Sequence, residues 1–124
     1  MARILIIDDE ESTRLLLASI LEKALGAEIQ LAGTSVQALK LVQSVDYDAI
    51  LLDLMMPGMD GYELLRRIRA GTLNAAAPLV VVSVLAEASA RERALALGAN
   101  AYHVKPVRRD ELLATVRALV DRRA

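Results

Sequence analysis

Two hydrophobic patterns alternate along this chain. Short, nearly unbroken apolar runs at residues 3–7, 27–31, 48–53, 78–83 and 100–105 have the length of strands, and a run such as Ala49-Ile50-Leu51-Leu52 has the pattern of a strand buried on both faces of a parallel sheet. Between the runs, apolar residues recur every three or four positions. Leu17, Ile20, Leu21, Ala24 and Leu25 share one helical face that stops at Gly26, and Thr34 with Gln37 has the spacing of a capping box opening a second helix that carries Leu39 and Val42. Leu64, Leu65 and Ile68 define a third helix ending near Gly71; Leu112, Leu113, Val116, Leu119 and Val120 define a fifth. The fourth, at about residues 88–97, is Ala-rich with few large apolar side chains, so it buries little surface and is expected to be held weakly and to move. Strands alternating with helices predict an α/β/α sandwich, a parallel sheet covered by helices on both faces.

The 124 residues, 55% of them hydrophobic, supply one core and fit one domain, with no internal repeat, low-complexity tract or linker. A formal charge of −1 and only three aromatic residues, all Tyr, give neither the electrostatic footprint nor the stacking platforms of a nucleic-acid binder. The absence of Cys excludes a disulfide framework, thiol catalysis and Cys-ligated zinc. The first apolar run is too short for a signal peptide or a membrane span, so a cytoplasmic protein without membrane insertion is expected.

In a parallel sheet all strands end on one edge, which is where ligands of open α/β sheets bind. Here the first strand ends in Asp8-Asp9, the third in Asp53, the fourth in Ser83 and the fifth in Lys105-Pro106. Three carboxylates at close quarters raise one another's proton affinity unless a hard divalent cation lies between them. Mg²⁺ takes oxygen ligands and commonly shares its shell with phosphate, so the cluster predicts a phosphoryl co-ligand. Ser83 can donate a hydroxyl hydrogen bond and Lys105 a compact positive charge to phosphate oxygens, which leaves Asp53 as a nucleophile able to form an aspartyl phosphate.

These residues bring a family into view. Asp8-Asp9 after the first strand, the run from Asp53 through Met55, Pro57, Gly58 and Asp60-Gly61 to Glu63, the hydroxyl ending the fourth strand, and Gly98-Ala99 leading to Tyr102 and Lys105-Pro106 resemble the receiver domain of bacterial two-component response regulators, from Ile4 to about Val120. The resemblance implies a flavodoxin-like (βα)5 fold with strand order 2-1-3-4-5. It implies Asp53 as phospho-acceptor, Asp8 and Asp9 as the acidic pair binding Mg²⁺ (or Mn²⁺), the Met55 backbone carbonyl as a further metal ligand, and Ser83 and Lys105 as contacts to the phosphoryl group. Ser83 and Tyr102 would form the switch, Tyr102 moving inward as Ser83 turns to the phosphoryl group, and the face of the fourth helix, fifth strand and fifth helix would carry the signal. The implied partners are a histidine kinase or phosphotransfer protein and a downstream protein or missing effector domain. The whole chain, 1–124, is then one receiver without an effector domain. It is not an enzyme beyond its own phosphotransfer and slow autodephosphorylation.

Departures from the family pattern carry their own expectations. Val84 follows Ser83 where a small residue is usual and is expected to crowd an entering phosphoryl group. Asn100 and Ala101 replace acidic residues used for symmetric dimer pairing in many members, which puts that dimer in doubt. His103, on the fifth strand, reads as a surface or satisfied core residue, and no function follows for it or for Val107. Arg66, Arg67, Arg69, Arg108 and Arg109 read as solvated helix-face charges, and Met55, Met56 and Met59 as a loop cluster that packs.

Other function classes fit less well. A haloacid-dehalogenase-type phosphatase wants a second Asp two positions after the first, where Met55 stands. A flavin-binding protein on this fold would place Asp8-Asp9-Glu10-Glu11 against a phosphate, which repels it. A non-phosphorylated interaction domain leaves the acid, hydroxyl and lysine set unexplained.

Overall fold

The computed structural model describes residues 1–123; Ala124, the last residue of the expected domain, lies outside them. Five strands, β1 (Arg3–Ile7), β2 (Glu28–Ala32), β3 (Ala49–Leu52), β4 (Leu79–Ser83) and β5 (Ala101–Val104), alternate with α1 (Glu11–Leu25), α2 (Ser35–Ser44), α3 (Gly61–Arg69), α4 (Ala88–Ala96) and α5 (Arg109–Arg123). All neighbouring strands pair in parallel, in the order β2-β1-β3-β4-β5. Successive strand residues point to opposite faces, and both faces are covered. Leu5, Ile7, Ile50, Leu52, Leu79 and Val81 pack with Val42, Leu64 and Ile68 on one side, while Ile4, Ile6, Leu51, Val80 and Val82 pack with Leu17, Leu21, Leu112 and Val116 on the other. That is why the apolar runs lack alternation. Among the described residues no helix is long and apolar enough to cross a membrane.

Boundaries shift by a residue or so from the sequence expectation, and each shift has a local cause. Asp48 lies before β3 because its carboxylate accepts the Arg3 N–H at 2.8 Å, and Asn100 lies before β5 because its Oδ1 accepts the Leu79 N–H at 2.8 Å while its own N–H donates to the Leu79 carbonyl. At α2 the capping is looser than a closed box: Thr34 accepts the Gln37 N–H at 3.1 Å, but the Gln37 side chain accepts from Gly33 rather than Thr34. Asp60 and Gly61 open α3. Asp60 caps the helix by accepting the Tyr62 N–H, and a Cβ on Gly61 would overlap the Leu54 main chain. As the Ala-rich sequence suggests, α4 buries only Ala90 and Ala94; Arg93, 4.0 Å above the Tyr62 ring, adds a cation–π contact.

Arg69 corrects the reading of the α3 arginines. Arg66 and Arg67 are solvated and pair with Glu63, but the Arg69 guanidinium turns inward and donates to the carbonyls of Gly98 (2.8 and 3.0 Å), Ala77 (2.6 Å) and Ala75 (3.1 Å). These carbonyls belong to loops without ladder partners, so a cation with several donors satisfies them together. Burial holds the Arg69 pKa below its ordinary value. Asn74, fully buried and next to these carbonyls, performs a related service: its amide donates to Val42 and Val45 carbonyls at 2.7 Å each and its oxygen accepts the Tyr47 N–H at 2.8 Å.

Replacing Asn74 by Ala strands those buried groups and should lower unfolding stability by about 2–3 kcal/mol, measured by urea denaturation.

Candidate functional site

The ends of β1, β3 and β5 deliver three charged residues to one point. The ladder continues one residue past each strand: Asp8 N–H donates to Ala32, Asp53 N–H to Ile7 and Lys105 N–H to Ser83, at 3.1, 2.9 and 2.8 Å. This fixes their main chains before the side chains make any contact. The Lys105 ammonium then donates to Asp8 Oδ2 at 2.7 Å and to Asp53 Oδ2 at 3.1 Å. Each carboxylate uses its other oxygen to bind the turn that follows. Asp8 Oδ1 accepts the Glu10 N–H at 2.9 Å, and Asp53 Oδ1 accepts the Met55 N–H at 3.0 Å. Asp8 and Asp53 are buried, Asp53 to 5% exposure, while Asp9 is exposed at the rim. Carboxylate oxygens of all three lie within 4.8 Å of one another.

One ammonium therefore faces two buried carboxylates and a third nearby. Burial raises the Asp53 pKa above its ordinary value, the Met55 and Lys105 hydrogen bonds opposing that shift and the charge of Asp8 adding to it. For Lys105 burial acts downward, but hydrogen bonds and attraction from Asp8 and Asp53 outweigh it, so its pKa is raised and the ammonium form is held. The donor set is oxygen-only and carries excess negative charge, which fits a hard divalent cation.

The remaining expected residues fall around this centre. Ser83 is fully buried at the end of β4, and its Oγ accepts the Leu85 N–H at 3.2 Å. The Tyr102 ring is buried in this structure, and its hydroxyl donates to the Leu85 carbonyl at 2.6 Å. Burial raises the Tyr102 pKa. The methionines also divide. Met56 and Met59 pack against the core, whereas Met55, whose N–H is taken by Asp53, leaves its side chain exposed. Val84, 58% exposed, lines a groove of about 350 Å³ beside Lys105 with Thr13, Leu16, Pro106 and Val107. His103 is half-buried, with Nε2 2.8 Å from Thr115 Oγ1 and a pKa lowered chiefly by burial, in keeping with a satisfied structural residue.

The model of the response regulator receiver domain matches residues 4–117. The chain belongs to that family. Among its relatives, the transcriptional regulatory protein CusR of Escherichia coli K12 is 36% identical over 98% of this chain and 52% of its own length, so this receiver spans about half of that relative. The receiver domain of the Francisella response regulator 1452 superposes with a TM-score of 0.92 at 29% identity, each chain covered completely. The receiver domain of the sensor histidine kinase PA1611 of Pseudomonas aeruginosa PAO1, solved with a magnesium ion coordinated in its active-site cleft, superposes with a TM-score of 0.87 at 30% identity over 97% of this chain and 98% of its own. Membership replaces the haloacid-dehalogenase-type and flavin-binding alternatives.

In this receiver, Asp53→Asn should raise folding stability, because the charged form is disfavoured by burial. The sign follows from linkage: a carboxyl that binds its proton more tightly folded than unfolded weakens the fold above its folded pKa and ceases to do so as pH falls to the unfolded value. The gap between Asp53→Asn and wild type should be widest above the folded pKa of Asp53 and close as pH falls through it, seen in melting temperatures across pH. Lys105→Met should instead cost about 3 kcal/mol near neutral pH by leaving two buried carboxylates unpaired.

Proposed function

We propose that Asp53 accepts a phosphoryl group from the phosphohistidine of a histidine kinase or phosphotransfer protein, in a Mg²⁺-dependent reaction (Mn²⁺ serving as well), and that the added charge alters the α4–β5–α5 face toward a downstream partner or effector domain. The observation that carries this reading is the Asp53 carboxylate, buried, oriented by the Met55 N–H and sharing one ammonium with Asp8. Such a group is positioned without flexibility and short of positive charge, which suits attack on an electrophile that arrives with a cation.

In the transfer, an Asp53 oxygen forms the new O–P bond as the histidine N–P bond breaks, and the bonding pair leaves with the imidazole, which takes up a proton. Asp8, Asp9 and Asp53 would hold Mg²⁺, with the Met55 carbonyl as a further ligand; when bound, the ion neutralises charge on the phosphoryl oxygens. Lys105 is placed to pass from the carboxylates to a phosphoryl oxygen. Ser83 accepts a bond from Leu85 and so retains its own proton for donation. The receiver acts as an acceptor in the cytoplasm and is not a turnover enzyme beyond slow loss of its own phosphoryl group.

Ser83 and Tyr102 hold the two ends of one peptide residue, since Leu85 gives its N–H to Ser83 and its carbonyl to Tyr102. If Ser83 turns toward a phosphoryl oxygen, the Leu85 N–H loses its acceptor and the Tyr102 contact must readjust, which carries the change to β5 and to the segment leading into α4. Phosphorylation adds roughly −1.5 to −2 charge and strong acceptor oxygens. Charge-assisted bonds to Ser83 and Lys105 are of the several-kcal/mol size that a population shift requires.

Incubation with Mg²⁺ and a small phosphodonor, followed by intact mass measurement, should give one phosphoryl adduct on the wild type and none on Asp53→Asn; no adduct on the wild type would overturn the reading. Val84→Ala should take up the group several-fold faster if the exposed valine crowds its entry, and equal initial rates would remove that role. Uptake should also fall as pH drops through the raised Asp53 pKa, because only the carboxylate attacks.

A further inference from the structure

We infer that Arg14 is a positioning residue for the acidic pair: its guanidinium clamps the Asp8 main chain, and Gly33 is the space that lets it do so. The inference rests on the metal-binding reading above and deepens it. Three bonds hold Asp8 apart from Lys105. Two are local to the backbone, the Asp8 N–H to Ala32 and the Glu10 N–H to Asp8 Oδ1. The third comes from a side chain in the first turns of α1, where Arg14 Nη1 donates to the Asp8 carbonyl at 2.7 Å.

That contact is notable for what Arg14 passes over. Asp9, Glu10 and Glu11 precede it in sequence, yet this half-buried guanidinium bonds a carbonyl at the hinge between β1 and the acidic rim. The Asp8 carbonyl belongs to the peptide that leads into Asp9. Fixing that peptide plane sets the direction in which Asp9, exposed at the rim, leaves the strand end and approaches Asp8 and Asp53.

Gly33 supplies the second half of the clamp. It follows β2, outside the left-handed region, so its value is not conformational freedom. A Cβ there would stand 2.9 Å from Arg14 Nη1 and 3.4 Å from Cζ. The atom in the way is the tip of a flexible side chain, so a methyl group at this position displaces Arg14 at little cost to the fold and leaves its charge on the protein.

The sign of the effect separates this role from plain electrostatics. A cation near an acidic cluster opposes a second cation, so removing Arg14 would tighten Mg²⁺ binding if charge alone mattered. Loss of an orienting contact around a metal site commonly weakens affinity about 10–100-fold, the opposite direction.

The test is calorimetric titration of the unphosphorylated full chain with MgCl₂, alongside thermal melting, for wild type, Arg14→Met, Arg14→Lys and Gly33→Ala. Arg14→Met and Gly33→Ala should each weaken Mg²⁺ binding by about tenfold or more. Arg14→Lys, which keeps a donor on a long stem, should recover most of the loss. Unchanged or tighter binding in Arg14→Met, or an unaffected Gly33→Ala, would overturn the role while leaving the metal site standing. A wild type with no Mg²⁺ binding that Asp9→Ala removes would instead overturn the metal reading, and the clamp with it.

Discussion

A single ammonium between two buried carboxylates organises this molecule. Lys105 reaches from the end of β5 past β4 to Asp8 and Asp53 at the ends of β1 and β3, and the intervening strand ends in the buried Ser83. Lysine suits the task because its charge sits at the end of a flexible stem and can move to a new partner. The arrangement is not neutral. Two carboxylates are buried and a third stands within reach, so the sheet edge holds negative charge that its own residues only partly compensate. Burial pushes Asp53 toward the protonated form, and Lys105 resists.

The rest of the fold makes this expense possible. The β-strands are fixed by apolar layers on both faces, and the ladder extends one residue beyond β1, β3 and β5 to seize the main chains of Asp8, Asp53 and Lys105. On the opposite end and flanks, Asn74 and Arg69 satisfy loop carbonyls that would otherwise be stranded. The least anchored helix is α4, which contributes two small buried residues, and it lies beside β5 and the Leu85 segment through which Ser83 and Tyr102 are joined. The charged edge is thus held from several sides, while the helix next to it is only slightly packed.

What could be read from the sequence was whatever depends on short spacing. Unbroken apolar runs marked strands, parallel strands put their terminal residues on one edge, and Asp8, Asp9, Asp53, Ser83 and Lys105 do converge there. Strand order came from family resemblance, since spacing alone does not say which strand lies between which. Residues whose partners are distant main-chain groups were invisible. Arg69 looks like its exposed neighbours Arg66 and Arg67 because nothing local announces that Gly98, on another loop, offers a carbonyl and no side chain in the way. Asn74 is illegible for the same reason, and Arg14 because its acceptor, though only six residues away, is a main-chain carbonyl. The bond from the Tyr102 hydroxyl to the Leu85 carbonyl is likewise illegible in sequence, because its acceptor is a main-chain atom with no sequence signature.

The central claim is that the edge lacks positive charge in a way a divalent cation supplies. Carbon-13 NMR titration of the Asp53 carboxyl, with and without Mg²⁺, tests it most directly. The account predicts an Asp53 pKa above the ordinary carboxylate value in the absence of divalent cations and a marked fall when Mg²⁺ is added. An ordinary pKa that Mg²⁺ leaves unmoved would contradict it.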